Sequence, residues 1–239
     1  MDEPKELRIS SFGGKVEAYS WSKNEVWIEV TGTVNSSEKE LKEELLSNIR
    51  INEEESSKNL CIDIAYYGSP KYGKKCSANV VLYLPREWRH FSIKLDRGEL
   101  NLIDDFRGVM NAELGTVDVN IRSFFGLLDI RNDRGNVCIS NGKLKTGSRI
   151  CCNTGNVSIK SDLEERGNYE IGTGFGDIRL LFPYGKFLEI NSIGNMIKNE
   201  FALADNVATS HNHSSSGNPV QVNIRSSAGS ISIEKYAKR

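Results

Sequence analysis

A chain of 239 residues with 26% charged side chains and a net charge of −1 can bury a large core, and it lacks the global field expected of a nucleic-acid or anionic-membrane binder. No apolar stretch approaches the ~18 residues of a membrane span, and Met1–Ser11 lacks the apolar segment of a signal peptide. Five cysteines (Cys61, Cys76, Cys138, Cys151 and Cys152), odd in number and without a Cys-x-x-Cys pair, argue against a zinc knuckle or a complete disulfide framework, and read as reduced thiols.

Along the first 95 residues, apolar and polar positions alternate in Lys15–Ala18, Glu25–Val30, Leu60–Ile64, Asn79–Leu84 and Phe91–Leu95, which predicts short strands. Ser37-Glu-Lys-Glu40 has the form of a capping box and predicts a helix through about Ile49, with Leu41, Leu45, Leu46 and Ile49 on one face. Such a helix would shield an open sheet end. Glu53–Lys58 reads as a charged, solvated loop. Residues 1–95 are thus expected to form an N-terminal cap with irregular strands.

From residue 96 to 203 the chain repeats one phrase: glycine, a small polar residue, then apolar–x–apolar. It appears at Gly115-Thr-Val-Asp-Val, Gly135-Asn-Val-Cys-Ile, Gly155-Asn-Val-Ser-Ile and Gly176-Asp-Ile-Arg-Leu, with a degraded copy at Gly194-Asn-Met-Ile-Lys. Between these copies stand Leu128/Ile130, Ile150/Cys152, Tyr169/Ile171 and Leu188/Ile190, and an earlier turn shows Leu100/Leu102 with Met110/Ala112. A near-constant period of about 20 residues marks a repeat architecture. The expected fold is all-β: a parallel β-solenoid of about five rungs. Val117, Val137, Val157, Ile178 and Met196 would share one inward column, and Val119, Ile139, Ile159 and Leu180 the next. Thr116, Asn136, Asn156, Asp177 and Asn195 would form a polar ladder at the corner. Alternation also places Cys152 inward and Cys151 outward. Hairpins of an antiparallel sandwich are the alternative, although a meander has no need of matched phrases.

Residues 204–219, with His211 and His213, lack periodicity and read as a loop. Residues 220–239 carry closing strands at Val220–Ile224 and Ser230–Ile233. The whole, 1–239, reads as a single domain.

The order of these phrases resembles the bacterial putative-adhesin domain family, a domain of unknown function. The resemblance rests on the opening strands around Leu7–Ala18, Leu82-Tyr-Leu-Pro85, the Gly-Asn/Asp-apolar repeats, Leu180-Leu-Phe-Pro183 and Gly229-Ser-Ile-Ser-Ile233. It implies a parallel β-solenoid and a cell-envelope or stress association, and it carries over no catalytic residue.

An enzyme reading has to start from carboxylates: Asp104, Asp105, Asp118, Asp129, Asp133, Asp177, Glu170 and Glu189. Of these, Asp129, Glu170 and Glu189 would share an outward face. Glycan cleavage needs two carboxylates roughly 5–9.5 Å apart with opposed pKa values, and the sequence shows no aromatic platform beside such a pair. Solvated strand charges explain them better. His90 reads as a packed or surface residue. A Cys–His dyad would need Cys151 or Cys138 beside the 204–219 loop, and no feature supports one. His211 and His213 supply only two metal ligands. Gly172-Thr-Gly-Phe-Gly176 has the look of a phosphate-binding fingerprint but precedes no helix. Trp21, Trp27, Trp88, Tyr66, Tyr67 and Tyr72 gather toward the N-terminus, where core and cap packing outweighs a partner surface.

The expected function is therefore a non-enzymatic, adhesin-like binding or structural module without cofactor or metal. Its partner would be a protein, peptide or polysaccharide, or a second copy, and neither nucleic acid nor a transmembrane segment is expected. The alternatives are a carbohydrate-active enzyme on a β-helix and an intracellular regulatory or assembly protein. By itself the chain reads as cytoplasmic; a leader or anchor outside it would place it at the cell envelope.

Overall fold

A computed structural model describes residues 6–56, 59–201 and 219–237. Its architecture is all-β, with one mixed sheet of sixteen strands and two short helices. In chain order these are β1 Glu6–Ser11, β2 Gly14–Trp21, β3 Trp27–Val34, α1 Lys39–Ser47, β4 Ile49–Glu55, β5 Asn59–Tyr66, α2 Pro70–Gly73, β6 Cys76–Pro85 and β7 His90–Arg134. There follow β8 Val137–Ile139, β9 Gly142–Leu144, β10 Arg149–Thr154, β11 Val157–Lys160, β12 Asp162–Leu163, β13 Asn168–Phe175, β14 Ile178–Pro183, β15 Leu188–Asn199 and β16 Val220–Tyr236.

The 45 residues of β7 would span roughly 150 Å if straight. Instead the run bends at corners and lies against itself. Val109 N–H donates to the Arg89 carbonyl at 2.7 Å, and Asn120 Nδ2 donates to Asn101 Oδ1, 19 residues earlier, at 3.0 Å.

Alternation decides what each short strand buries. Val137 and Ile139, Val157 and Ile159, Ile178 and Leu180 all face inward, while Cys138, Ser158 and Arg179 face out. Parallel pairing sets Val119, Val137, Val157, Ile178 and Ile231 in one row, with Ile121, Ile139, Ile159, Leu180 and Ile233 beside it. Ile130, Ile150, Ile171 and Ile224 form a second row. The neighbours Val137 and Val157 are those the period requires. Val119, not Val117, stands against Val137, because the preceding turn of chain is two residues shorter. Met196 faces Ile231 rather than Ile178, because β16 lies between β14 and β15.

Both terminal segments are intercalated. Ile9 of β1 pairs with Ile62 of β5 on one side and Ile93 of β7 on the other. β2 lies likewise between β6 and β7, and β16 between β13/β14 and β15. The expectation of five rungs therefore does not describe this sheet. Strands before residue 96 and after 219 pair in parallel into the same sheet, and β16 carries the glycine phrase once more at Gly229-Ser-Ile-Ser-Ile233. Two antiparallel strands, β3 on β6 and β4 on β5, finish the N-terminal end.

The helix forms, with a different start. Its N-cap is Glu38, with no side-chain cap, so the Ser37 capping box is not made. Leu45 packs with Val34 and Cys76, flanked by Leu41, Leu46, Ile49, Tyr66 and Tyr72, in a small cluster beside the main core. Glu53–Glu55, expected in a loop, belong to β4, where pairing with Leu60–Ile62 keeps them extended. The short α2 was not foreseen.

Candidate functional site

Most of the carboxylates singled out in the sequence serve the scaffold. Asp118 Oδ1 accepts the backbone N–H of Asn136 at 2.8 Å, Asn136 Oδ1 that of Asn156 at 3.0 Å, Asn156 Oδ1 that of Asp177 at 2.8 Å, and Asp177 Oδ1 that of Ser230 at 2.8 Å. The expected polar ladder thus exists, with Asp118 in the place given to Thr116 and Ser230 in that given to Asn195. Asp133 accepts Asn153 Nδ2 at 2.8 Å, and Asp104 accepts Ser20 N–H at 3.0 Å. Asp129 and Glu170 share an outward face, but Arg149 stands between them and reaches Glu170 Oε2 at 2.6 Å. Glu189 is aligned instead with Gln221 and Asn168.

Among the described residues the nucleophile and metal candidates are not assembled. His90 pairs with Glu6 across the sheet; His211 and His213 lie outside the described residues. The cysteines are free thiols. Burial pushes the half-buried Cys151 thiol up, away from the thiolate a nucleophile needs. Cys152 faces the core, and its Sγ donates to the Gly135 carbonyl at 3.2 Å. Among the described residues no three His, Cys, Asp or Glu side chains are grouped to hold a metal. Gly176 (φ +150°) sits at a corner where a Cβ would strike the Gly155 carbonyl, and β14 follows it, not a helix.

The aromatic residues do assemble. Pairing of β2 with β6, and of β6 with β3, puts Tyr19, Tyr83 and Trp27 side by side on the outer face. The Tyr19 and Tyr83 rings stack at 4.9 Å, Trp21 leans on Tyr83 at 5.1 Å, and Trp27 meets Tyr83 edge-on at 5.4 Å. Lys23 Nζ lies 4.6 Å over Trp21. Packing as the main role suits Tyr66 and Tyr72, beside α1, but not Trp27, which is 43% exposed.

Trp27 also borders a cleft of about 750 Å³ at the N-terminal end. Val26, Trp27, Ile28, Leu60, Pro85 and Trp88 supply its apolar lining, and Glu25, Glu53, Glu55 and Glu87 its charge. Glu53 and Glu55 point the same way because they are two apart on a strand. All four carboxylates are exposed. Lys23 approaches Glu25 at 3.4 Å; no cation among the described residues pairs with Glu53, Glu55 or Glu87. Sequence reasoning missed this site because Glu53–Glu55 looked like loop and the aromatics were treated as packing. The cluster of tryptophans was the available signal.

The turn Pro85-Arg86-Glu87-Trp88-Arg89, closed by Trp88 N–H to the Pro85 carbonyl at 3.1 Å, separates this cleft from another of about 520 Å³. Glu87 and Trp88 line the first, Arg86 and Arg89 the second, so one turn parts two pockets of opposite charge.

No family model matches the chain, and no curated protein matches it. Among solved structures it is similar to a putative cell adhesion protein from Clostridium sporogenes ATCC 15579, with 18% identity over 98% of this chain and 93% of that one and a TM-score of 0.34. It is also similar to a putative adhesin from Bacteroides fragilis NCTC 9343, with 10% identity over the same shares and a TM-score of 0.44. At such low identity the binding surfaces stand on this chain's own residues.

Proposed function

We propose that the chain is a non-enzymatic binding module on a solenoid-like stack of parallel strands, acting at or near the cell envelope. Its N-terminal cleft would hold a cationic polymeric partner, a basic peptide or an amine-bearing glycan. One observation carries this reading: an apolar floor with Trp27 and Trp88 is rimmed by four carboxylates, three of them without an ion pair among the described residues. Tryptophan faces attract cations, and uncompensated carboxylates concentrate them.

The same cleft favours a second reading, a glycan-cleaving enzyme, since carboxylates beside aromatic rings are what that chemistry requires. Binding is preferred because all four carboxylates are exposed. Glycosidase general acids are typically buried against apolar side chains, which lifts their pKa into the working range.

Tryptophan fluorescence titrated with oligolysine, chitosan oligomers and neutral dextran tests both readings. Binding of a cationic probe, weakened about tenfold by Trp27→Ala and by Glu53→Gln with Glu55→Gln, is expected. Indifference to every cationic probe would overturn the binding reading. Release of reducing ends that Glu87→Gln abolishes would establish the enzyme instead.

A further inference from the structure

We propose that the flank beyond the Pro85–Arg89 turn is a second binding surface, for an acidic polysaccharide. Six cations line it: Arg86, Arg89, Arg107, Arg122, Lys143 and Lys145. They border two hollows of about 520 and 370 Å³ that share Arg89 and Arg107 and so form one trough. Three carboxylates lie along it. Asp104 accepts Ser20 N–H, Glu164 Oε2 accepts Thr146 N–H at 3.1 Å, and Asp105 is the third, so cations outnumber carboxylates two to one.

None of the six cations is in an ion pair with a described residue. Arg89 donates to the carbonyls of Arg86 and Trp88, Arg122 to that of Ile103 at 3.4 Å, and Arg107 lies 4.6 Å over the Phe125 ring. Phe125 lies under the Arg107 guanidinium and pairs with Lys143 on the next strand, so these two cations stand about two strand spacings, roughly 10 Å, apart along the stack. A row of cations at short intervals suits a polymer bearing a carboxylate or sulfate on successive repeats, and guanidinium forks bind such groups in bidentate fashion.

Single-stranded nucleic acid fits less well. Its bases need free aromatic faces, whereas Phe125 is covered by Arg107 and Phe106 is buried.

The surface is independent of the acidic cleft, and the test separates them. The full chain is titrated with heparin, polygalacturonate, neutral dextran and oligothymidylate at 50 and 300 mM salt, conditions chosen to expose about a hundredfold loss for a multi-charge contact. Expected is binding of at least one acidic glycan, lost at high salt and absent for dextran. Arg107→Ala with Arg122→Ala should weaken it at least tenfold, whereas Lys39→Ala and Trp27→Ala leave it unchanged. If the arginine pair lowers the melting temperature, Lys143→Glu with Lys145→Glu gives the same readout. The proposal is overturned by failure to bind either acidic glycan at 50 mM salt, by binding that both double variants leave intact, by equally tight oligothymidylate binding, or by a salt-sensitive dimer in place of glycan binding.

Discussion

Asn156 Oδ1 accepts the backbone N–H of Asp177 at 2.8 Å, while Asn156's own N–H is held by Asn136 Oδ1 at 3.0 Å. Each side chain thus stitches its corner to the next. Asn156→Ala removes one acceptor and is expected to cost about 1 kcal/mol in chemical denaturation. Asn156→Asp should be close to neutral, because Asp118 and Asp177 already play that part with a carboxylate oxygen.

A buried ladder runs inside the same corners. Asn132 donates to the Val117 carbonyl at 2.8 Å, Cys152 to Gly135 at 3.2 Å, Thr173 to Gly155 at 2.8 Å and Ser226 to Gly176 at 3.0 Å. Four residue types serve one need, a small inward donor. Cys152→Ser should therefore retain stability, and Cys152→Val should lose about 1–3 kcal/mol by stranding a carbonyl. Equal melting temperatures for the two variants would contradict the ladder.

Tyr169, 1% exposed, donates its hydroxyl to the Leu144 carbonyl at 3.0 Å and accepts Glu164 N–H at 2.8 Å. Burial pushes that hydroxyl well above its ordinary range. In the unfolded chain the phenol ionises near pH 10, while the fold keeps it protonated. Its contribution is thus complete below about pH 10 and is lost as pH rises beyond it. Tyr169→Phe should be less stable at pH 7 by about 1–2 kcal/mol, with a flatter decline between pH 10 and 11, measured by denaturant midpoint.

Lys186 Nζ reaches Asp162 Oδ1 at 2.9 Å and the Leu163 carbonyl at 2.8 Å, with side chains only 16% and 12% exposed. Lys186→Met removes this partly buried ion pair and the hydrogen bond to Leu163, and should cost about 1–3 kcal/mol. Adding Asp162→Asn should recover a substantial part of this. Strictly additive losses in thermal unfolding would mean the two side chains act separately.

The row Val137–Val157–Ile178 was legible because each phrase carries its own glycine, polar residue and alternating pair, all local properties of the chain. The offset that pairs Val119 with Val137 was not, since it depends on how much chain the preceding corner consumes. Trp27 meets Tyr83 and shares a cleft with Trp88 from a distant stretch of chain, and neither that meeting nor the charge segregation at Pro85–Arg89 has a signature in any one window.

By itself the sequence determined that the chain is all-β, which residues of each short strand face inward, and that small polar side chains stand at the corners. Those are consequences of alternation and of hydrogen-bonding needs within a few residues. Only the tertiary structure decided that β1–β2 and β16 slide between other strands, and that carboxylates and guanidiniums sort to opposite sides of one turn. Strand order is settled by which free edges and apolar rows remain to be covered, a competition among segments far apart in the chain.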